Sequence, residues 1–372
     1  MSDELDEHRL YLSDRHRLDA FEQGIAAGVR PGDVVVDLGC GTGILGLLAC
    51  RAGAARVYAI DSGGMAEVAE SVAAANGFDD RITVIRGSSL DVSLPEPADV
   101  VVADQIGGFG FEAGIFEYFA DARRRFLKPD GRMIPHSVAL FVAPVEAPAI
   151  HQEVLFWNSR PAGFDMSPAQ SIASNSGYPR HLDAGSLLAP GSLGATRRLA
   201  DDQTSFGFAI DTRVHRGGVV HGIAGWFTAA LAGSVTMTNA PDAARRIQRR
   251  PEFFPLPCAL PVEPGQTIRI EMQIRPHDLI VKWIVSCGGA RFEHCTFKGM
   301  LFSRQVLHRT RPEFVPRLSD RGRARKLVLD LAERETTVGE IEHALFESHR
   351  QLFADQTDAG RFVAEVITRY AE

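Results

Sequence analysis

The chain has 372 residues, of which 45% are hydrophobic and 23% charged, and its formal net charge is -7. That length accommodates two or three domains with a substantial core, and an acidic balance argues against a nucleic-acid binder, which ordinarily carries a basic face. Five widely spaced cysteines (Cys40, Cys50, Cys258, Cys287, Cys295) without a C-x-x-C pair argue against a disulfide framework or a zinc site, while an acidic start and no apolar run of ~18 residues point to a soluble, cytoplasmic protein without a membrane anchor.

Residues 1–30 carry scattered apolar positions (Leu10, Leu12, Leu18, Phe21, Ile25), with Ser13 and Asp14 as caps, and read as one or two amphipathic helices. Strands and helices then alternate. Val34–Val36 is wholly apolar, as in a strand buried on both faces. A helix over Ile44–Ala52 ends at Gly53, and a strand follows at Val57–Ile60. Met65–Asn76 is an alanine-rich helix, and Ile82–Ile85 and Val100–Ala103 are strands. Phe116–Leu127 is helical, and Lys128-Pro129-Asp130-Gly131 reads as a turn. This alternation predicts an α/β doubly wound, Rossmann-like domain over residues 1–136.

The pattern changes near Pro135. Segments at Phe206–Ile210, Gly222–Phe227, Ser234–Thr238, Thr267–Ile274 and Leu279–Val285 alternate with Gly and Pro between them. They predict an antiparallel β-barrel domain over 137–312, with an excursion at about 160–200 rich in Ser, Gly, Ala and Pro. Residues 313–372 read as a small helical domain. Arg325–Leu331 forms one helix, the capping box Thr337-Val338-Gly339-Glu340 opens a second carrying Ile341, Leu345 and Phe346, and a third carries Phe362, Val363, Val366, Ile367 and Tyr370.

The strongest chemical signal is Asp37-Leu38-Gly39-Cys40-Gly41-Thr42-Gly43, directly after the first strand and before a helix. Glycines there let backbone approach a ligand at the strand's carboxyl end. A dinucleotide site would place a pyrophosphate on the helix N-terminus. Here the spacing is G-x-G-x-G, and acids stand at the tips of the first two strands: Asp37, able to hold an ammonium, and Asp61, next to Ser62, able to accept ribose hydroxyls. That set suits S-adenosyl-L-methionine (SAM), which has an amino-acid tail and a ribose but no phosphate.

The chain resembles the protein arginine methyltransferase family over roughly residues 8–300. The family's opening H-x-x-M-L-x-D-x-x-R appears as His8 through Arg17, Arg86–Asp91 is similar to its adenine-binding stretch, and Gly163-Phe164-Asp165-Met166 is similar to the start of its dimerisation arm. The resemblance implies that Arg17 binds the SAM carboxylate and that His8 contacts the cofactor. It implies adenine recognition at Ser89, Leu90 and Asp91, with Leu90 where the family usually has a glutamate, and a homodimer. The implied cofactor set is therefore His8, Arg17, Asp37, Gly39, Cys40, Gly41, Thr42, Gly43, Asp61, Ser62, Ser89, Leu90 and Asp91.

The acceptor half departs from the family. A guanidinium acceptor keeps its charge at any ordinary pH and needs carboxylates to place it. The family's S-E-W-M-G-Y…E loop reads Ala103-Asp104-Gln105-Ile106-Gly107-Gly108-Phe109-Gly110-Phe111-Glu112, which makes Asp104 and Glu112 the catalytic carboxylates. The first is one methylene shorter, which retracts it by ~1 Å. The family's T-H-W loop falls near Ile247-Gln248-Arg249, where an arginine facing Asp104 and Glu112 would neutralise them or bind an anionic group. The resemblance implies methylation of a guanidino or related nitrogen of a peptide, protein or arginine-like metabolite. A natural-product O- or N-methyltransferase and a decayed SAM-binding scaffold stand as alternatives. The C-terminal helices read first as a structural extension or oligomer contact, and they weakly resemble winged-helix-like peptide-binding modules. A DNA-reading role is disfavoured, because Gln356–Arg361 offers a single arginine for phosphate contacts.

Overall fold

The computed structural model describes residues 3–201, 204–301, 303, 308, 309, 311–334 and 336–371. The chain forms two compact units, residues 1–300 and 301–372.

The first unit opens with α1 (Asp3–Ser13) and α2 (Arg15–Gly28). Asp14 between them caps α2, its carboxylate accepting the Arg17 N–H at 3.2 Å. Phe21 and Ile25 on α2 are fully buried. The strands β1 (Val34–Leu38), β2 (Arg56–Asp61), β3 (Ile82–Arg86), β4 (Ala98–Ala103) and β5 (Leu127–Ile134) form a parallel sheet in the order β3-β2-β1-β4-β5. It alternates with α3 (Ile44–Arg51), α4 (Met65–Ala75) and α5 (Ile115–Arg125). Every residue of β1 is buried, as a central parallel strand requires. Leu38 pairs with Ala103, so the loops leaving β1 and β4 emerge side by side at the carboxyl edge of the sheet.

The turn expected at Lys128–Gly131 is instead part of β5. Ladder pairing passes from Ala98–Leu127 to Val100–Arg132, so four residues oppose Asp99 alone. This is a bulge rather than a reversal, and Lys128 Nζ clasps Asp99 across it at 2.8 Å. Pairing with β4 overrides the local turn preference.

The antiparallel part contains β6 (Ser137–Val145), α6 (Pro148–Leu155), α7 (Gln170–Ala173), β7 (Tyr178–Pro179), β8 (Ser192–Arg198), β9 (Phe206–Arg213), β10 (Gly218–Ala230), β11 (Thr236–Thr238), β12 (Glu252–Val262), β13 (Thr267–Arg275), β14 (Ile280–Cys287) and β15 (Ala290–Cys295). The expected barrel does not close. One sheet runs β7-β12-β10-β6-β8, with β11 on β10, and a separate sheet runs β15-β14-β13-β9. Side chains, not ladder bonds, join the two. Phe208 of β9 packs so closely on Gly194 of β8 that a Cβ there would lie 2.5 Å from its ring. On the other side, Pro255, Pro257 and Pro261 remove ladder donors from β12. The residues expected to form an excursion at 160–200 include the edge strand β8.

A single apolar core crosses from the parallel sheet to the antiparallel ones, through Val35, Val36, Phe109, Phe111, Phe227, Phe254 and Trp283. The second unit contains α8 (Asp320–Ala332), α9 (Val338–Ser348) and α10 (Gln356–Tyr370), packed around Val328, Ile341, Leu345, Phe362 and Val363. The Thr337 N–H donates to Glu340 at 3.0 Å, as the capping box requires. Among the described residues this unit has no strand, so no wing accompanies its helices.

Candidate active site

The loop after β1 is organised by two carboxylates. Asp37 is fully buried. One of its oxygens accepts the Gly46 N–H at 2.8 Å, while Oδ1 is buried with no hydrogen-bond partner among the described residues. Burial pushes the Asp37 carboxyl up to about 7, against the pull of the Gly46 N–H. Asp61, at the tip of β2, accepts the N–H groups of Gly41 and Gly63 at 2.8 Å each. Gly41 itself has φ +54°, and a Cβ there would collide with the ring of His8. The absence of a side chain therefore lets α1 lie directly over the loop.

A cavity of about 190 Å³ beneath α1 is lined by His8, Tyr11, Arg17, Gly39, Cys40, Thr42, Asp104 and Gln105, among others. Five of the expected cofactor residues thus share one cavity with Asp104. Asp37, Gly43 and Asp61 belong to the strand tips and the loop around it. Ser62 is exposed. Ser89, Leu90 and Asp91 lie after β3, outside this lining, and Leu90 and Asp91 are exposed. Arg125 of α5 secures that turn, donating to the carbonyls of Ser89 and of Val92, the latter at 2.7 Å.

Asp104 leaves β4 as the hub of the site. Its side chain is 7% exposed and pairs with two arginines. Arg249 donates to both carboxylate oxygens at 3.1 and 3.0 Å, and Arg17 Nε donates to Oδ2. Burial disfavours the Asp104 carboxylate, but the Arg249 and Arg17 charges outweigh it and hold its pKa below the usual range. Tyr11 covers both cations, its ring centroid lying 5.4 Å from Arg17 Cζ and 5.9 Å from Arg249 Cζ. Asp14 ties the segments together, accepting the Gln248 N–H at 2.7 Å.

Glu112 folds back on its own loop, with its carboxylate accepting the N–H of Phe109 at 2.8 Å and of Phe111 at 3.1 Å. Burial raises its pKa in spite of those bonds. On the other side of the Arg17–Asp104–Arg249 cluster lies a larger cavity of about 800 Å³. Tyr11 and Arg17 belong to the linings of both cavities. Gly107, Gly108, Asn239, Arg249 and Glu252 also face the larger one. Asn239 accepts the Phe227 N–H at 3.0 Å and donates to the Gly108 carbonyl at 2.7 Å, pinning the loop after β4 to β10.

Sequence reasoning overlooked Asn239 and Glu252. Asn239 carries no local signal. Glu252 carried one, since an acid directly follows the basic run that ends in Arg249-Arg250-Pro251.

The acid-tipped parallel strands, the glycine loop and the antiparallel sheets beyond them define a class I methyltransferase fold with an appended β domain. Residues 17–137 match the family model of ribosomal protein L11 methyltransferase (PrmA), and residues 136–283 match the arginine methyltransferase oligomerization subdomain. "Probable protein arginine N-methyltransferase 6" of Arabidopsis thaliana is 34% identical over 174 residues, 46% of this chain and 40% of that protein. "Protein arginine N-methyltransferase PRMT10" of Oryza sativa subsp. japonica is 40% identical over 138 residues, 37% of this chain and 36% of that protein. Over these residues the chain is similar to protein arginine methyltransferases. It spans about two fifths of the length of these curated relatives. The fold is similar to that of the Trypanosoma brucei PRMT1 enzyme-prozyme heterotetrameric complex with AdoHcy, with a TM-score of 0.70 at 20% identity, covering 77% of this chain and 96% of that one. Arabidopsis thaliana protein arginine methyltransferase 10, in an open conformation, gives 0.68 at 22% identity, covering 78% and 98%.

Proposed function

We propose that this protein is a SAM-dependent methyltransferase acting on a guanidino or related nitrogen of a peptide or protein. The observation that carries the reading is the pair of cavities sharing Arg17 and Tyr11, with the Asp104–Arg249 pair between them.

The residues present fit the cofactor. An unpartnered buried oxygen on Asp37 suits an ammonium, and Arg17 suits the carboxylate of the same amino-acid tail. Asp61 retains lone pairs for ribose hydroxyls beyond those it spends on loop amides. The turn at Ser89, Leu90 and Asp91 is assigned to the adenine. When bound, SAM would supply an electrophilic methyl group for the acceptor nitrogen. Asp104 orients Arg17 and Arg249, Glu112 holds the loop after β4 rigid, and α1 shields the cofactor cavity from water.

A second copy of the chain is the proposed partner. Phe156, Trp157 and Phe164 are exposed around the segment that resembles the dimerisation arm, at 51%, 38% and 68%. One observation favours the alternative of an acidic or neutral small-molecule acceptor, namely that Arg249 occupies Asp104.

The test is methyl transfer from labelled SAM by the full chain into cell extract and into an arginine-rich peptide, resolved by size. Label on a peptide nitrogen, located by mass spectrometry, is the expected result. Label confined to small molecules would overturn the peptide reading in favour of the alternative. Failure to bind SAM would overturn both.

A further inference from the structure

We propose that Glu252 is the carboxylate that receives the guanidinium of the methyl acceptor, a place Asp104 does not fill in this chain. The inference rests on the methyltransferase reading above and names the substrate contact of the same site.

Three carboxylates face the 800 Å³ cavity: Glu7, Asp14 and Glu252. Glu7 accepts the Tyr11 hydroxyl at 2.6 Å, and Asp14 accepts the N–H groups of Gln248 and Arg17. The Glu252 carboxylate accepts a hydrogen bond from none of the described residues. Asp104 is held by Arg249 and Arg17, so a second guanidinium would have to break a bidentate pair to reach it. Glu112 spends its oxygens on backbone N–H groups.

The position of Glu252 is fixed by its backbone. It opens β12 and pairs with Gly225 of β10 on one side and Pro179 of β7 on the other. Two side-chain-free residues bring the loop after β4 against it. A Cβ on Gly107 would strike the Glu112 carboxylate, and one on Gly108 would lie 2.6 Å from the Arg250 carbonyl and 3.6 Å from Glu252 Oε1. Gly107 and Gly108 thus bring a bare stretch of the loop against Glu252, with the Glu112 carboxylate packed on Gly107.

The surroundings favour a permanent cation. Burial first, and the Glu112 charge second, push the Glu252 carboxyl up to about 8, with Arg180 pulling weakly the other way. The other charged or titratable groups lining the cavity are Glu7, Tyr11, Asp14, Arg17, His181, Arg246, Arg249 and Arg250. Arg180 is turned to Glu153 at 2.9 Å, and Arg249 is neutralised by Asp104. A guanidinium keeps its charge at any working pH, so its arrival ionises Glu252 and releases a proton. A neutral acceptor would leave the carboxyl protonated.

Titration calorimetry tests this on the full chain loaded with S-adenosylhomocysteine. The probe is an Arg-Gly-Gly repeat peptide, in two buffers of different ionisation enthalpy near neutral pH. Wild type is expected to bind with proton release. Glu252→Gln should lose about tenfold to a hundredfold in affinity, together with the proton release. Glu252→Asp should keep part of both. Affinity for S-adenosylhomocysteine should stay within about twofold in every variant, which checks the fold. The inference is overturned if Glu252→Gln binds the peptide like wild type, or if wild type binds no peptide while retaining S-adenosylhomocysteine. Wild type that fails to bind S-adenosylhomocysteine sinks the methyltransferase reading itself, a result distinguishable from the other two.

Discussion

Arg249 and Asp104 are 145 residues apart in the chain and meet through two parallel hydrogen bonds of 3.1 and 3.0 Å. The pair joins the loop after β4 to the segment leading into β12. Arg17, from α2, completes it on the other side. A short acid at position 104 and an arginine at position 249 therefore act as one unit, and substitutions there are expected to be coupled.

Arg249→Met leaves a buried carboxylate with one cation instead of two. Removing one partner of a buried pair costs about 3–5 kcal/mol, and the remaining Arg17 should reduce that to about 2–4 kcal/mol. Denaturant unfolding measures it. Adding Asp104→Asn to that variant should restore part of the loss, because the two sites share an interaction. Strictly additive losses would mean the pair contributes nothing of its own.

Arg17 belongs to both cavities, and its loss should be felt first by the cofactor. Arg17→Ala is expected to weaken SAM binding by at least about tenfold, the scale of a charge-assisted hydrogen bond. Equilibrium binding reads this directly. Unchanged affinity would remove Arg17 from the cofactor site.

The raised Asp37 carboxyl, at about 7, has two consequences of opposite sign. The free folded protein holds this proton more tightly than the unfolded chain, whose aspartate titrates near 3.8. Stability contributed by the protonated group therefore falls as pH rises through that window. Cofactor affinity moves the other way, because the ammonium binds the ionised form. Between about pH 5.5 and 7 it should climb, approaching tenfold per unit at the acid end, and Asp37→Asn should flatten the slope. A wild-type profile as flat as that of the variant would contradict the assignment.

Phe164 is 68% exposed on the segment that resembles the dimerisation arm. Phe164→Asp should shift the chain from dimer to monomer in sedimentation velocity, since a buried charge without a partner is strongly disfavoured at an apolar contact. A wild-type chain that sediments as a monomer, or a variant dimer of unchanged strength, would remove Phe164 from any interface.

The parallel half was legible because its signals are local. Val34–Val36 is apolar along its whole length because both faces of the strand are covered. Asp37 and Asp61 stand where strands end, and the glycines between Gly39 and Gly43 mark a backbone that must pass close to something else. Comparison with a known family pattern also located the basic run near Arg249 opposite the acids. The antiparallel half was less legible. Proline-rich β12 reads poorly as a strand, yet it pairs with β10 along most of its length and leaves its other edge mostly free. Lys128–Gly131 reads as a turn and becomes a bulge because β4 supplies a ladder.

By itself, then, the sequence determined the doubly wound sheet, the glycine loop and the acids at its strand tips, because burial periodicity and backbone freedom act over a few neighbouring residues. Only the tertiary structure decided that the β domain stays open as two sheets, that Asp104 is held by Arg17 and Arg249, and that the Glu252 carboxylate faces the cavity without a hydrogen-bond donor among the described residues. Those outcomes depend on which distant charges share a buried space, and the Coulomb and desolvation energies that settle them depend on separation in space rather than along the chain.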